Sequence, residues 1–96
     1  MIWLTLLLNA GAQDTLLQQA QQLSSEGSSE QALQTLTPLL RQGDGDALSL
    51  AGTIHEQTGS LLLARQHYDS ALESDALTDS GPVHLGLARC YQGTGD

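Results

Sequence analysis

Residues 48–71, LSLAGTIHEQTGSLLLARQHYDSA, carry the pattern that decides the fold. Two segments with helical apolar spacing flank Gly59, and a glycine at such a junction supplies the positive φ angle that ends a helix. Each segment contains a small residue, Gly52 and Ala64, where one helix can approach the other closely, so these two are predicted to form a contact pair. Tyr68 lies four residues beyond Ala64 and shares its face. The stretch therefore predicts two antiparallel helices joined by a tight turn.

The same spacing recurs on both sides of this stretch. It starts at Ala20, Gly52 and Ala88, and seven residues after each start comes a glycine: Gly27, Gly59 and Gly95. Offsets of 12, 16 and 19 residues from the first two starts lead to Ala32, Leu36 and Leu39 and to Ala64, Tyr68 and Ala71. Stacked helical hairpins have this kind of repeat, because each hairpin covers a face that its neighbour leaves open. The sequence predicts an all-α fold, a right-handed α–α superhelix of about two and a half hairpins.

Helix boundaries follow from the apolar spacing and from residues suited to helix ends. We predict helices at about 14–26, 29–42, 46–58, 60–74 and 82–93. Ser28 followed by Gln31 has the form of a capping box, and Asp46 and Ser60 stand where N-caps are expected. Pro82 suits a first helical turn. The repeat units are predicted at about 13–44, 45–80 and 81–96, the last of them incomplete.

Composition excludes several classes of function. The chain has 96 residues, which allows one small domain and rules out a multidomain enzyme. Three arginines and no lysine oppose 11 acidic residues, and the formal net charge of -8 disfavours nucleic acid and anionic membrane surfaces as partners. The only aromatic residues are Trp3, Tyr68 and Tyr91, so the core must be built mainly from Leu and Ala.

The first twelve residues, MIWLTLLLNAGA, resemble a short secretory signal. An apolar run from 2 to 8 is followed by Ala10-Gly11-Ala12, a small-x-small sequence that signal peptidase accepts, and cleavage there would leave Gln13 first. A basic leader is missing, so the alternative is that this run ends a core helix. The first interpretation predicts a periplasmic or secreted protein, and the second a cytoplasmic one.

The repeat resembles the tetratricopeptide repeat, whose pattern is a large residue, Leu-Gly or Leu-Ala, Tyr, Gly, Ala, an aromatic residue, Ala and finally Pro. The middle unit matches it at Leu48, Ala51, Gly52, His55, Gly59, Ala64, Tyr68 and Ala71. The next unit matches at Leu87, Ala88, Tyr91 and Gly95, and the preceding one at Ala20, Leu23, Gly27, Ala32 and Leu36. The resemblance covers about residues 13–96 and departs from the pattern at Ala76, where the family has proline, and in the lengths between units.

A catalytic or metal site has little support in the sequence. His55, His67 and His84 are the candidate bases, and no two of them have the i, i+4 spacing of helical metal ligands. Cys90 is predicted to be a buried, unreactive thiol. Gly43-Asp44-Gly45-Asp46 lacks the closing glutamate of a calcium loop and is predicted to be a turn. We therefore predict no catalytic residue, no metal, no cofactor and no small-molecule substrate.

The surface that could bind a partner is the face of each unit's first helix opposite its packed residues, here called the strip. Its members are Asp14, Leu17, Gln21, Ser24, Asp46, Ser49, Thr53, Glu56, Pro82, Leu85, Arg89 and Gln92. The resemblance implies that this concave strip holds an extended peptide or a partner helix. Three carboxylates against one arginine favour a neutral or basic segment, and the Lys and Asn residues with which chaperone-binding members clamp an acidic terminus are missing. The alternative is a merely solvated face.

Two hypotheses of function follow. The first is a non-catalytic protein-protein interaction module that acts as an adaptor or assembly scaffold. The second is a fragment of a longer tetratricopeptide protein whose enzymatic or secretion-channel part is missing. The last unit also predicts self-association through residues 83–91, because the apolar side of Val83, Leu87 and Tyr91 is expected to be uncovered.

Overall fold

The computed structural model describes the backbone of residues 12–75 and 77–94 and the side chains of residues 15–75 and 77–93. Every regular element in these ranges is an α-helix: α1 Ala12–Ser25, α2 Ser29–Arg41, α3 Gly45–Gln57, α4 Leu61–Glu73 and α5 Gly81–Thr94. Each helix begins and ends within two residues of its predicted position. The all-α fold is therefore confirmed for the described part of the chain.

Glycines with positive φ angles end the first helix of each described hairpin. Gly27 and Gly59 both have a φ angle of 86°. The next residue closes the turn in both cases: the Ser28 amide donates to the Leu23 carbonyl at 2.8 Å, and the Ser60 amide donates to the His55 carbonyl at 2.8 Å. This is the hydrogen-bond pattern of a Schellman C-cap. The predicted counterpart Gly95 lies outside the described residues.

The helix N-termini agree with the predicted N-cap positions at Ser28 and Ser60 but not at Asp46. Asp44, not Asp46, caps α3, and its Oδ1 accepts a hydrogen bond from the Ala47 amide at 3.0 Å. Ser28 and Ser60 occupy the N-cap positions of α2 and α4, yet neither side chain makes a capping hydrogen bond. The predicted capping box at Ser28 is therefore wrong. Sequence spacing locates a helix start within a turn of helix, but the choice between neighbouring polar residues depends on local backbone geometry.

Two core clusters with the same spacing hold the helices together. The first cluster lies between α1, α2 and α3 and contains Ala20, Ala32, Leu36, Leu39, Ala47, Ala51 and Ile54. The second cluster lies between α3, α4 and α5 and contains Leu48, Ala64, Tyr68, Ala71, Val83, Leu87 and Cys90. The α2 residues recur 32 positions later in α4, and the α3 residues recur 36 positions later in α5. A helical repeat therefore exists in the packing as well as in the sequence.

Tyr68 fills the centre of the second cluster. Its side chain is 1% exposed, and its ring lies between Gly52 of α3 and Gly86 of α5. A Cβ atom added to either glycine would come within 2.6 Å of a ring carbon, closer than real Cβ atoms approach other atoms. The atoms nearest to Gly52 thus belong to Tyr68 and not to its predicted partner Ala64, which is itself fully buried.

The face that helix α5 turns to the core differs from the predicted one. Val83, Leu87 and Cys90 are buried, with exposed fractions of 0%, 8% and 0%. Val83 and Leu87 were expected to be uncovered, and that expectation is wrong because both pack in the second cluster beside α4. Ala88, the counterpart of Gly52 in the repeat, is exposed. The uncovered apolar surface of α5 therefore includes Ala88 and Leu85.

Candidate functional site

The strip forms two grooves on one side of α3. The larger, the Asp46 groove, has a volume of about 320 Å³ and is lined by Leu17, Gln21, Asp46, Ser49, Thr78, Asp79 and Pro82. The smaller, the Arg89 groove, has a volume of about 250 Å³ and is lined by Thr53, Glu56, Gln57 and Arg89. Because α3 and α5 each contribute residues to both grooves, the two follow one another along the same pair of helices.

Asp46 lines the larger groove and binds the segment between α4 and α5. Its Oδ1 accepts a hydrogen bond from the Thr78 amide at 2.9 Å, and its Oδ2 accepts one from the Thr78 hydroxyl at 2.7 Å. Both carboxylate oxygens are therefore engaged by the segment between α4 and α5. Asp79 follows in that segment, and its Oδ1 accepts from the Gly81 amide at 3.0 Å. The groove is lined by polar side chains, by Pro82 and by the partly buried side chain of Leu17.

A hydrogen-bond network that joins α3, α4 and α5 supports the smaller groove. Arg89 faces Glu56 with two donors: Nε pairs with Oε2, and Nη2 donates to Oε1 at 3.1 Å. The Tyr68 hydroxyl donates to Glu56 Oε1 at 2.8 Å and lies 3.1 Å from the Thr53 hydroxyl. A two-donor contact fixes the relative orientation of the guanidinium and the carboxylate more strictly than a single bond does.

Hydrogen bonds and burial shift the pKa values of Glu56, Tyr68 and Arg89 in this network. The Arg89 hydrogen bonds lower the pKa of Glu56, because they stabilise the charged carboxylate, although burial acts in the opposite direction. Burial raises the pKa of Tyr68 to about 12, and the nearby Glu56 carboxylate adds to this effect. The pKa of Arg89 is raised by the same pairing with Glu56. The network therefore holds a carboxylate, a guanidinium and a neutral phenol over the ordinary pH range.

This pairing changes the charge that the strip presents to a ligand. Glu56 and Arg89, two separate charges in the sequence, are paired in the structure, so that their charges largely cancel. The remaining charge lies in the other groove, at Asp46 and Asp79. Sequence spacing missed Gln57, Thr78 and Asp79 as lining residues. Thr78 and Asp79 lie in a connection between helices, where helical periodicity carries no information.

Some members of the strip lie elsewhere. Leu85 and Gln92 are exposed but line neither groove, and Leu85 is 64% exposed. Ser24 donates a hydrogen bond to Gln57 Oε1 at 3.1 Å, so it contacts α3 at the end of the smaller groove. The side chain of Asp14 lies outside the described residues. The structure therefore brings most described members of the strip into the two grooves, including Pro82 and Arg89 of α5, and leaves Leu85 and Gln92 outside them.

The histidines and the cysteine do not form a site with three ligands. The rings of His55 and His67 lie 4.9 Å apart between centroids, and burial together with the neighbouring His67 lowers the pKa of His55. Within the described side chains, no group of three or more His, Cys, Asp or Glu residues could hold a metal ion. Cys90 is buried, and burial raises the pKa of its thiol, which disfavours the reactive thiolate.

No family model, curated protein or solved structure matches this chain. None of the helices in the described residues is long and apolar enough to cross a membrane. The function of the strip must therefore be inferred from the contacts, charges and shape of the chain's own residues.

Proposed function

We propose that the chain is a non-catalytic protein-protein interaction module of the tetratricopeptide kind, a right-handed superhelix whose strip binds a neutral or basic peptide or partner helix. The observation that carries the proposal is the Asp46 groove. Residues from α1, from α3, from the connection between α4 and α5 and from the start of α5 line this groove together. Such a surface offers hydrogen-bonding groups along a ligand backbone and the partly buried Leu17 for an apolar side chain.

The charge of the groove favours a basic ligand. Asp46 and Asp79 lie in the groove, whereas Arg89 is paired with Glu56 in the neighbouring one. The chain as a whole carries a formal net charge of -8, which adds a long-range attraction for cationic segments. A neutral or basic segment with one apolar side chain therefore fits the groove better than an acidic segment does. In this proposal the chain acts as an adaptor or assembly scaffold.

A peptide selection with matched variants tests this proposal. Displayed random peptides are selected on the immobilised wild-type chain, and the enriched peptides are then titrated against two variants. Ser49→Arg places a bulky cation in the Asp46 groove, and Ser70→Arg places the same side chain on the exposed surface of α4. We expect Lys and Arg to be enriched, with at least about tenfold weaker binding to Ser49→Arg and unchanged binding to Ser70→Arg. Enrichment of acidic peptides, or equal binding to both variants, would contradict the proposal.

Export is a second, separable part of the proposal. Ala12 is the first residue of α1, so cleavage after it would leave the rest of that helix in place. Protein recovered from the periplasm of an expressing bacterium is then expected to begin at Gln13 and to lack tryptophan fluorescence, because Trp3 is removed. N-terminal sequencing decides this point, and exported protein that still begins at Met1 would contradict it.

A further inference from the structure

The outer face of α5 carries small and large apolar residues, as helix-helix interfaces do, but it is exposed. We define it by Leu85, Ala88 and Tyr91, which are spaced three residues apart. Leu85 is 64% exposed, Tyr91 is 37% exposed, and Ala88 is also exposed. The guanidinium carbon of Arg65 lies 4.3 Å from the centre of the Tyr91 ring, so this ring also contacts α4. A small residue between two large apolar ones lets a second helix approach closely.

The repeat shows what the equivalent faces do elsewhere in the molecule. Ala20 of α1 and Gly52 of α3 occupy the position of Ala88, and both are buried. In α3, this face is covered by α4, whose Tyr68 ring lies directly against Gly52. In α1, Ala20 packs in a cluster with Ala32 and Leu36 of α2. A helix therefore packs on this face in the two equivalent positions of the fold.

The charge distribution indicates which helix can pack on α5. Each of the other four helices contains at least one Asp or Glu, but α5, GPVHLGLARCYQGT, contains none and carries Arg89 as its only Lys or Arg. In a chain with a formal net charge of -8, two copies are expected to repel each other least where the contacting helix carries no carboxylate. Contact through α5 avoids that repulsion. A second copy is thus the partner for which this helix is best suited.

We propose that a second copy of the chain docks on this face, in a twofold-symmetric antiparallel contact of α5 with α5 that is centred on Ala88. The spacing of the face is self-complementary. Leu85 lies three residues before Ala88 and Tyr91 lies three residues after it, so a twofold axis at Ala88 places Leu85 of each copy against Tyr91 of the other. Leu85 belongs to the strip, but neither groove is lined by Leu85, Ala88 or Tyr91, so this contact lies outside the two grooves.

Sedimentation velocity of the full chain over a concentration series tests the contact. The variant Leu85→Glu has a close match in Leu62→Glu: both residues are leucines on helix surfaces, 64% and 65% exposed, and both changes add one negative charge. We expect a wild-type dimer whose dissociation constant rises at least about tenfold in Leu85→Glu and less than about twofold in Leu62→Glu. Circular dichroism checks that both variants remain helical.

Cross-linking tests the centre of the contact. Two Cβ atoms at a twofold axis come within disulfide range, so Ala88→Cys is expected to form an intermolecular disulfide under mild oxidation, whereas Gln66→Cys on the exposed surface of α4 is not. The native Cys90 is buried and does not compete. A chain that remains monomeric at millimolar concentration would overturn the proposal. A dimer that Leu62→Glu weakens as much as Leu85→Glu, or Ala88→Cys without a disulfide, would also overturn it.

Discussion

The two core clusters use the same spacing but fill their centres differently. In the first cluster, Leu36 occupies the position that Tyr68 holds in the second. Two neighbouring positions also differ between the clusters: Ala20 of the first is equivalent to Gly52 of the second, and Leu50 of the first is equivalent to Gly86 of the second. The second cluster thus has one larger side chain and two glycines where the first has three side chains of ordinary size. Interiors are close-packed, so a large residue is accommodated only where its neighbours are reduced.

Tyrosine at the position of Leu36 also brings a hydroxyl group into the second cluster. Tyr68 extends through the core, and its hydroxyl reaches Thr53 and Glu56 at the smaller groove. Leu36 has no polar atom with which to do the same. This position of the repeat therefore determines whether the central side chain of a cluster carries a hydroxyl, which in the second cluster joins the Glu56–Arg89 pair. The comparison predicts that the second cluster depends on coupled residues more strongly than the first.

The largest expected effect comes from removing the central side chain. Tyr68→Ala should lower the free energy of unfolding by about 3 to 5 kcal/mol, because it leaves a ring-sized cavity between two glycines that cannot fill it. Leu36→Ala should cost about 2 to 5 kcal/mol in the first cluster. Urea denaturation measures both changes. The partly exposed Tyr91→Ala is the control, and an equal effect of Tyr91→Ala and Tyr68→Ala would show that the central position is not special.

The glycine positions should be sensitive to a single methyl group. Gly52→Ala and Gly86→Ala are each expected to cost about 1 to 3 kcal/mol by overpacking against the Tyr68 ring, despite the better helix propensity of alanine. In a Tyr68→Leu background the cost should disappear, because the side chain then resembles that of the first cluster. A double-mutant cycle by urea denaturation measures this coupling. Additive effects would mean that the ring and the glycines do not share one space.

The small residue of α4 allows the same comparison between clusters. Ala64→Leu should lower the free energy of unfolding by about 1 to 3 kcal/mol through overpacking, and Ala32→Leu at the equivalent position of α2 should do the same. Both alanines are 0% exposed. Thermal melts compare the two variants with wild type. If either variant melts at the wild-type temperature, the equivalence of the two clusters at this position is wrong.

Removing only the Tyr68 hydroxyl isolates the polar difference between the clusters. Tyr68→Phe should cost about 1 kcal/mol, because the ring still fills the core while the hydrogen bonds to Glu56 and Thr53 are lost. The folded pKa of about 12 lies above the ordinary value of 10, so wild-type stability should be fully present below pH 10 and decline as the pH rises towards 12. Denaturation at several pH values measures this decline, which Tyr68→Phe should reduce.

The smallest expected effect comes from the ion pair. Because the pKa of Glu56 is lowered in the folded chain, the stability that it contributes is present above its ordinary value of 4.5 and is lost as the pH falls through the lowered value. The contribution should be about 1 kcal/mol or less, since the Arg89 side chain is 54% exposed and solvent screens the pair. Stability measured from neutral to acidic pH should fall less steeply in Glu56→Gln. An unchanged slope would remove Glu56 from the acid response.

Local sequence signals predicted the helices well but the contacts between them only in part. Positions of Gly27 and Gly59 were sufficient to locate two helix ends, because positive φ angles favour glycine at a helix C-terminus. The partner of Gly52 was predicted as Ala64, since small residues often face each other, but the ring of Tyr68 lies there. The Tyr68 ring also needs Gly86, which stands where the first cluster has Leu50. Gly86 meets this ring only because α5 packs against α4, and sequence spacing alone does not establish that packing.

The amino-acid sequence by itself determined the all-α fold and the five helices of the described residues, because both depend on residues within one or two turns of one another. It also determined the repeat of small and large apolar positions, because a repeat is a regular spacing of residue types along the chain. Only the tertiary structure decided which polar residues meet. Asp46 binds Thr78, 32 positions away, and Glu56 binds Arg89, 33 positions away. These contacts depend on how one hairpin is placed against the next. That placement follows from the shape of packed side chains, such as Tyr68 between its two glycines, which no local pattern encodes.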